Sequence, residues 1–432
     1  MSADARESRN TLWQATANAR VAGATLERDM AVDVAIVGAG FTGVTAALHL
    51  ARRGARVAVF EAEQLGAGAS GLNAGFVVPN FAKADPAAVI ARLGEERGRR
   101  LLDCVAQGAD RVFETARSLG IACDAAQTGW LQPAHHPAMA ETLRKRAATW
   151  ASYSRPVSFL TAEETALQTG MNRYHGALLD RSGGTIHPLN YLYGLAEGAI
   201  AAGAVIFENA NIDSIKQNGA IWLLRSGGRR VTADKVLLCT NAGLQGPAKK
   251  LGSNTVPLRV YQIVTEPMSP DVVRRIAPDR RPVGDTRSNL FTYRLDRDDR
   301  LITGGMAIVP IAAHRRIARI IARRLAKELA LPQTPRIDFI WSGTAAMTPD
   351  FLPHLYEFGP DFIGGVGCNG RGVAMTTMLG EVLAAAAMGA RLEGLPIPLA
   401  PSGGLPFHFL AGVAPSFAVA HARWADWRAG AS

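Results

Sequence analysis

The sequence predicts a mixed α/β fold with α+β character: a Rossmann-type, doubly wound parallel sheet assembled from separate stretches of chain, with an antiparallel sheet built from the segments between. Three observations carry this. An apolar, β-branched run near the N-terminus ends in glycine and leads through a helical stretch into a second such run. A middle region alternates short strands with polar turns, and a late apolar strand passes through a glycine-rich turn into an alanine-rich helix.

Residues 33 to 38 (Asp-Val-Ala-Ile-Val-Gly) have the character of a buried parallel strand. Val44, Ala47, Leu48 and Ala51 recur at helical spacing over 42 to 53, Gly54 stops the helix, and 56 to 61 is a second strand, which completes a βαβ unit. Strands follow at 205 to 207, 221 to 224 and 235 to 239, the last running into the turn Thr240, Asn241, Ala242, Gly243. The segments 258 to 265, 290 to 294 and 301 to 304, joined by polar connections such as 296 to 300, read as antiparallel. A strand at 362 to 366 precedes a helix over 373 to 388. The expected layout is an N-terminal arm (1–30), a doubly wound domain from 31–110, 175–250 and 335–395, a second domain from 111–174 and 251–334, and a C-terminal extension (396–432).

At 432 residues, 48% hydrophobic and 19% charged, with no low-complexity tract, the chain has the composition of an ordered protein able to enclose a large ligand. Cys104, Cys123, Cys239 and Cys368 show neither metal-ligand nor disulfide spacing, which suits a reducing cytoplasm. Charges at Arg6, Glu7, Arg9, Arg20, Glu27, Arg28 and Asp29 interrupt any secretory apolar core, and no run is long enough to span a bilayer. The net charge of +10 is densest at His314, Arg315, Arg316, Arg319, Arg323, Arg324 and Lys327. Interleaved with Ile317, Ile320, Ile321 and Leu325, these residues form the wet face of an amphipathic helix, and no aromatic interleaving suggests nucleic acid.

Gly38, Gly40 and Gly43, with Phe41 and Thr42 between them, match GxGxxG, and Glu61 lies 18 residues past Gly43 at the end of the second strand. The first glycine makes the turn, the second admits a pyrophosphate to the backbone, and the third lets helix and strand close. The helix N-terminus favours phosphate, and a carboxylate suits ribose hydroxyls. This fingerprint alone does not choose between NAD and FAD. The next segment bears on that choice: Gly66, Gly68, Gly71 and Gly75 fall within ten residues, with Ala69, Ser70, Asn73 and Ala74 among them. So many small residues suit backbone that approaches a ligand closely, or else a flexible surface loop.

These motifs resemble the FAD-dependent D-amino acid oxidase and glycine oxidase superfamily, and the likeness covers nearly the whole chain. Within it the γ-glutamylputrescine oxidoreductase-like branch is the nearest likeness, on Trp13, the GASGLNAG run at 68–75, Tyr293-Arg294, the run 300–305, Trp341-Ser342-Gly343, Leu352-Pro353-His354 and Asn369-Gly370-Arg371-Gly372. The resemblance implies an FAD-binding domain joined to an antiparallel substrate domain. It implies that Ser70 and Asn73 meet the pyrophosphate and ribityl chain, with Ala69, Ala74 and Gly75 alongside the cofactor, and that Ile212 reads the adenine. Gly243 would flank the site, and Gly367, Asn369, Gly370, Arg371, Gly372 and Val373 would present a helix N-terminus to the flavin N1 and O2 side. Arg371 either reinforces the charge there or forms a salt bridge elsewhere.

The chemistry so implied is oxidation of a primary or secondary amine to an imine, by hydride transfer to flavin N5 and then hydrolysis, with oxygen or another acceptor taking the electrons. Glycine, sarcosine or D-amino acid oxidation, and a flavin-binding subunit of a larger dehydrogenase complex, are the alternatives. Tyr261 and Tyr293 are expected either in the substrate pocket or in the core, His354 beside the pocket or in a purely structural place, and His187 is a weaker candidate. Members that oxidise amino acids commonly carry a carboxylate-binding arginine after the WxG-like strand, but here the run is Thr344-Ala345-Ala346-Met347. That favours a substrate whose polar groups lie further from the reacting carbon. The same run lacks a flavin-attaching cysteine, so FAD is expected to be non-covalent.

Overall fold

A computed structural model describes residues 10–306 and 313–411. The readings of Arg6, Glu7 and Arg9, of the side chains of His314 and Arg315, and of the far end of the 396–432 extension lie outside the described residues. Among those described, no helix is long and apolar enough to cross a membrane.

Two large sheets organise the chain. In the first, the parallel strands Val205–Phe207, Val57–Phe60, Met30–Val37, Arg229–Leu238 and Phe362–Val366 lie side by side in that order. His354–Gly359 continues the sheet antiparallel to Phe362–Val366, and Leu399–Ala400 closes that edge. The hairpin Ser214–Asn218 and Ile221–Ser226 branches from Arg229–Leu238. Strands Met30–Val37 and Val57–Phe60 are apolar because both faces are covered, as parallel sheets require. Helices Phe41–Ala51, Glu95–Ser118, Pro188–Ala201 and Gly372–Ala387 pack into one core on one face, and the branching hairpin covers the other. Helices Phe41–Ala51 and Gly372–Ala387 cross so closely that a Cβ on Gly380 would lie 2.6 Å from the Thr42 carbonyl oxygen.

The chain adds strands first to one side of Met30–Val37 and then, with Arg229–Leu238, to the other. That reversal opens a crevice outside the carboxyl ends of the strands, where doubly wound folds bind ligands.

The second sheet has the order Ile337–Met347, Val256–Pro267, Arg300–Gly305, Thr292–Leu295, Val283–Gly284, Trp130–Pro133, Ala177–Asp180, Val157–Leu160. It is antiparallel except where Val283 pairs with Leu131. Ile317, Ile321 and Leu325 of helix Ala313–Glu328 pack beneath it, while Ile320 joins the arginines on the wet face. Three expected domain limits shift. Ala177–Asp180 and Ile337–Met347 hydrogen-bond into this second sheet, so the limits at 175 and 335 fall too early, and the limit at 110/111 cuts the continuous helix Glu95–Ser118. Sheet membership depends on pairing partners distant in sequence, which local patterning does not report.

Candidate active site

The glycine fingerprint forms the turn its spacing demands. Gly38 has φ +101°, and a Cβ there would lie 2.7 Å from the Cys239 carbonyl oxygen. A Cβ on Gly43 would lie 2.0 Å from the Gly38 carbonyl oxygen, so only glycine lets the helix start against the strand. Gly40 caps helix Phe41–Ala51 without a side-chain cap, which leaves first-turn amides for a ligand. One is engaged already: the Phe41 amide donates to Ser70 Oγ at 2.9 Å. The buried Phe41 ring packs edge-on against Tyr191, and Thr42 is also buried. Glu61 accepts from the Ala39 amide at 3.0 Å and the Glu63 amide at 3.2 Å, and burial raises its pKa above the usual glutamate value. A carboxylate with two amide donors keeps further acceptor capacity, and ribose hydroxyls are donors.

Residues 66–75 are an ordered turn, short helix (Ala69–Leu72) and second turn, so the flexible-loop alternative is set aside. A Cβ on Gly71 would lie 2.1 Å from the Gly66 carbonyl oxygen, and one on Gly75 would lie 2.2 Å from that of Ile186. Three side chains from distant segments hold this stretch by its carbonyls. Trp341 Nε1 donates to Leu72 at 2.8 Å and Trp13 Nε1 to Asn73 at 2.7 Å. Arg294 Nη1 donates to Ala74 at 3.2 Å, Gly75 at 2.9 Å and Ile186 at 2.8 Å. Arg294 is 3% exposed, and burial lowers its pKa to about 10. The sequence showed Trp13, Arg294 and Trp341 only as markers of a family; a tryptophan in a polar arm and an arginine inside an apolar strand were the available signals of their roles.

Asn73 departs from expectation. Its Nδ2 donates to the Ser70 carbonyl at 2.8 Å and its Oδ1 accepts from the Gly75 amide at 2.8 Å, so its side chain builds the turn instead of reaching for pyrophosphate or ribityl chain. Glu208 was also missed as a site residue: it accepts from Arg20 at 2.9 Å, from the Gly23 amide at 2.8 Å and from the Leu65 amide at 2.5 Å, which ties the N-terminal arm to this segment. Ile212 is buried close by, past the Ala210 amide that donates to the Glu61 carbonyl at 2.8 Å.

On the other side of Arg229–Leu238, the 367–372 turn opens helix Gly372–Ala387. Gly367 has φ +109°, Asn369 φ 51° and Gly370 φ +80°. Asn369 fixes the turn: its Oδ1 accepts from the Thr348 amide at 2.7 Å and its Nδ2 donates to the Gly367 carbonyl at 2.8 Å. Arg371 is the N-cap residue but gives no side-chain cap, so the amides of Gly372 and Val373 begin the helix open. Its guanidinium reaches across to Trp130 of the second sheet, 5.3 Å from the ring centroid, and among the described residues it forms no salt bridge. Gly243 lies on the turn after Arg229–Leu238, its amide donating to the Thr240 carbonyl at 3.0 Å.

The expected substrate-pocket residues divide by strand alternation. Tyr293 is fully buried in the core under helix Ala313–Glu328, donates its hydroxyl to the Ile276 carbonyl at 2.9 Å and has its pKa pushed well up by burial. It is a core residue, and the substrate role is withdrawn; its neighbour Arg294 points to the opposite face. Tyr261 lies in the same core, whereas Val264, Ile302 and Trp341 face the glycine-rich segment. His354 Nε2 contacts both Asp350 oxygens, at 2.9 and 3.0 Å, so it holds the loop beside Gly367, while its buried Nδ1 has no hydrogen-bond partner. His187 caps helix Pro188–Ala201: Nδ1 accepts from the Asn190 amide at 3.1 Å, so Nε2 carries the proton toward Thr16 Oγ1 at 3.0 Å. Burial lowers its pKa to about 4, so it is a neutral structural residue at pH 7.

Two uncapped helix starts thus flank one crevice, with Glu61 at one end and the 66–75 backbone along it. A Cβ on Gly68, Gly370 or Gly372 would meet nothing within 4 Å, so the surface has room where the backbone is bare. Amides for a pyrophosphate, a carboxylate for a ribose and a helix start for an electron-rich ring edge together fit FAD.

The comparisons agree with this fit. γ-Glutamylputrescine oxidoreductase of Escherichia coli K12 is 30% identical over 380 residues, 88% of each chain. Glycine oxidase of Geobacillus kaustophilus is 25% identical over 339 residues, 75% of this chain and 84% of that one. In fold, the chain is similar to the crystal structure of that glycine oxidase (TM-score 0.67, 20% identity, 83% and 95% covered). It is also similar to L-amino acid deaminase from Proteus vulgaris (TM-score 0.72, 17% identity, 91% and 99% covered). The DAO family of FAD dependent oxidoreductases matches residues 33–386, and with a site built for FAD in that span the chain belongs to this family.

Proposed function

We propose that this enzyme oxidises a primary or secondary amine at its carbon–nitrogen bond, in the manner of γ-glutamylputrescine oxidoreductase. The observation that carries the reading is the likeness to that enzyme along 88% of both chains, together with a strand end, Thr344 to Met347, that offers no arginine to an α-carboxylate. Bound FAD supplies the hydride acceptor for the carbon beside the substrate nitrogen. The protein's part is to hold and orient. Arg294, Trp13 and Trp341 fix the 72–75 carbonyls, Asn369 fixes the 367–372 turn, and the open helix starts favour negative charge where they point. Because the run 341–348 has no cysteine and burial raises the Cys368 thiol pKa, leaving no ready thiolate, FAD is held without a covalent bond.

The test is an amine panel run on yellow, FAD-loaded protein, with and without an artificial electron acceptor. Turnover of amines but not of glycine, sarcosine or D-alanine supports the reading, and peroxide release without the acceptor identifies oxygen as the oxidant. Turnover confined to those amino acids transfers the enzyme to the glycine oxidase type of reaction. Protein that takes up no FAD ends the proposal.

A further inference from the structure

We propose that Gln262, the chain neighbour of Tyr261, binds the substrate, its side-chain oxygen accepting a hydrogen bond from the amine nitrogen. This rests on the amine-oxidation reading and adds to it the group that holds the nitrogen.

Pairing register lays a row of residues across the second sheet, on the face turned toward the first. Trp341 pairs with Gln262, and Gln262 with Gly304. Arg294 pairs with Ile302, which sets Thr292 opposite Gly304, and Thr292 pairs in turn with Gly284. Tyr261, Val283, Tyr293 and Leu301, at odd spacings from these residues, enter the core on the opposite face, so alternation keeps the whole row on one side. At one end Trp341 Nε1 holds the Leu72 carbonyl. At the other, the Trp130 ring lies against Gly284, where a Cβ would come within 2.4 Å of it, and the Arg371 guanidinium lies over that ring. The row therefore bridges the 66–75 segment and the 367–372 turn. Gly304 and Thr292, at its middle, are only half-buried, so the sheet face can be reached from the crevice there.

Gln262 is 9% exposed, and its Oε1 is buried without a hydrogen-bond partner. The amide leans over bare backbone: a Cβ on Gly304 would stand 3.0 Å from Oε1 and 3.4 Å from Nε2. Buried acceptors are nearly always paired, so an orphan acceptor midway between the two cofactor-binding stretches marks where a ligand donor belongs. The N–H of the amine is the donor that the reaction brings. An amide also suits the chemistry better than a carboxylate would. Amine oxidation starts from the neutral nitrogen, whose lone pair forms the C=N bond as the hydride departs to flavin. A neutral acceptor binds that nitrogen without favouring its protonated form, whereas a carboxylate would raise the amine pKa. The row from Trp341 to Gly284 contains no carboxylate.

The experiment titrates FAD-loaded wild type, Gln262→Leu, Gln262→Glu and Gly304→Ala with tert-butylamine, followed by flavin absorbance. This amine has no hydrogen on the carbon beside nitrogen and cannot be oxidised. The apoproteins are titrated with FAD in parallel. Gln262→Leu should weaken tert-butylamine binding by about tenfold or more, the scale of a buried hydrogen bond with one partner left unmet, and leave FAD affinity unchanged. Gly304→Ala, whose methyl would stand against Oε1, weakens it as well. Gln262→Glu keeps an acceptor and retains binding, and with an amine that turns over it moves the acidic limb of kcat to higher pH, because its charge holds the bound amine protonated. No tert-butylamine response in wild type, wild-type affinity in Gln262→Leu, or weakened FAD binding with amine binding intact overturns the proposal. If Gln262→Leu takes up no FAD, Gly304→Ala decides, and an unchanged affinity there overturns it. If no amine turns over while tert-butylamine binds in a Gln262-dependent way, the amine-oxidation reading fails and the binding site stands.

Discussion

Replacing Glu61 by Gln separates the cost of the apoprotein from the hold on FAD. The carboxylate accepts from the Ala39 and Glu63 amides, and burial raises its pKa above the ordinary glutamate value, so in the apoprotein its charge is partly a liability. An amide of the same shape removes that liability but keeps only one acceptor atom for two amides. These effects oppose each other, and apoprotein stability changes by less than about 1 kcal/mol. FAD affinity changes more. A hydrogen bond from a ribose hydroxyl to a charged acceptor is worth about 1.5–3 kcal/mol, and losing the charged acceptor weakens binding by roughly 10- to 100-fold. Isothermal or fluorescence titration of apoprotein with FAD measures this directly. The linkage gives a second readout. Because the apo pKa is raised and donors favour the ionised form, FAD binding releases a proton near that pKa; affinity therefore rises as pH climbs toward the raised apo value and levels off above it, and this slope disappears in Glu61→Gln. An unchanged FAD affinity in the variant would falsify the ribose assignment.

Trp13→Phe keeps the buried ring but strands the Asn73 carbonyl, so it should cost about 1–3 kcal/mol in chemical denaturation and speed FAD loss on dilution. Tyr293→Phe removes one buried hydrogen bond, so stability should fall by about 1 kcal/mol with kcat/KM unchanged; a large kinetic defect would restore Tyr293 to the substrate pocket. At Asp350, burial favours the neutral acid, but His354, the Leu352 amide and Arg92 hold the pKa down to about 2. A depressed carboxylate contributes stability above its unfolded value that is lost as pH falls through the folded one. Asp350→Asn should therefore cost roughly 1–2 kcal/mol at neutral pH and nothing near pH 2, as urea melts at both pH values will show.

How much of the site could be read in advance followed from how local its causes are. The turn at Gly38, Gly40 and Gly43 is fixed by contacts between residues close in sequence, such as Gly43 against the Gly38 carbonyl, so spacing alone revealed it. Glu61 ends the next strand of the same βαβ unit and was equally visible. The 367–372 turn showed itself through glycines that need positive φ.

What the sequence could not decide by itself were the choices made by pairing and alternation. Which face of a strand meets the cofactor depends on the register of the whole sheet, and that register sent Tyr261 and Tyr293 into the core while turning Arg294 toward the glycine-rich segment. Asn73 was expected at the ligand from the family resemblance, but two backbone groups of its own turn claim its side chain. Arg371 and Trp130 are 241 positions apart in the chain. Only packing of the first sheet's crevice against the second sheet brings the Arg371 guanidinium over the Trp130 ring. The sequence by itself thus determined the fold class through short-range backbone patterning, and the cofactor through its likeness to a family; tertiary structure decided which side chains turn toward the glycine-rich segment and which enter the core, because that is a property of sheets and not of segments.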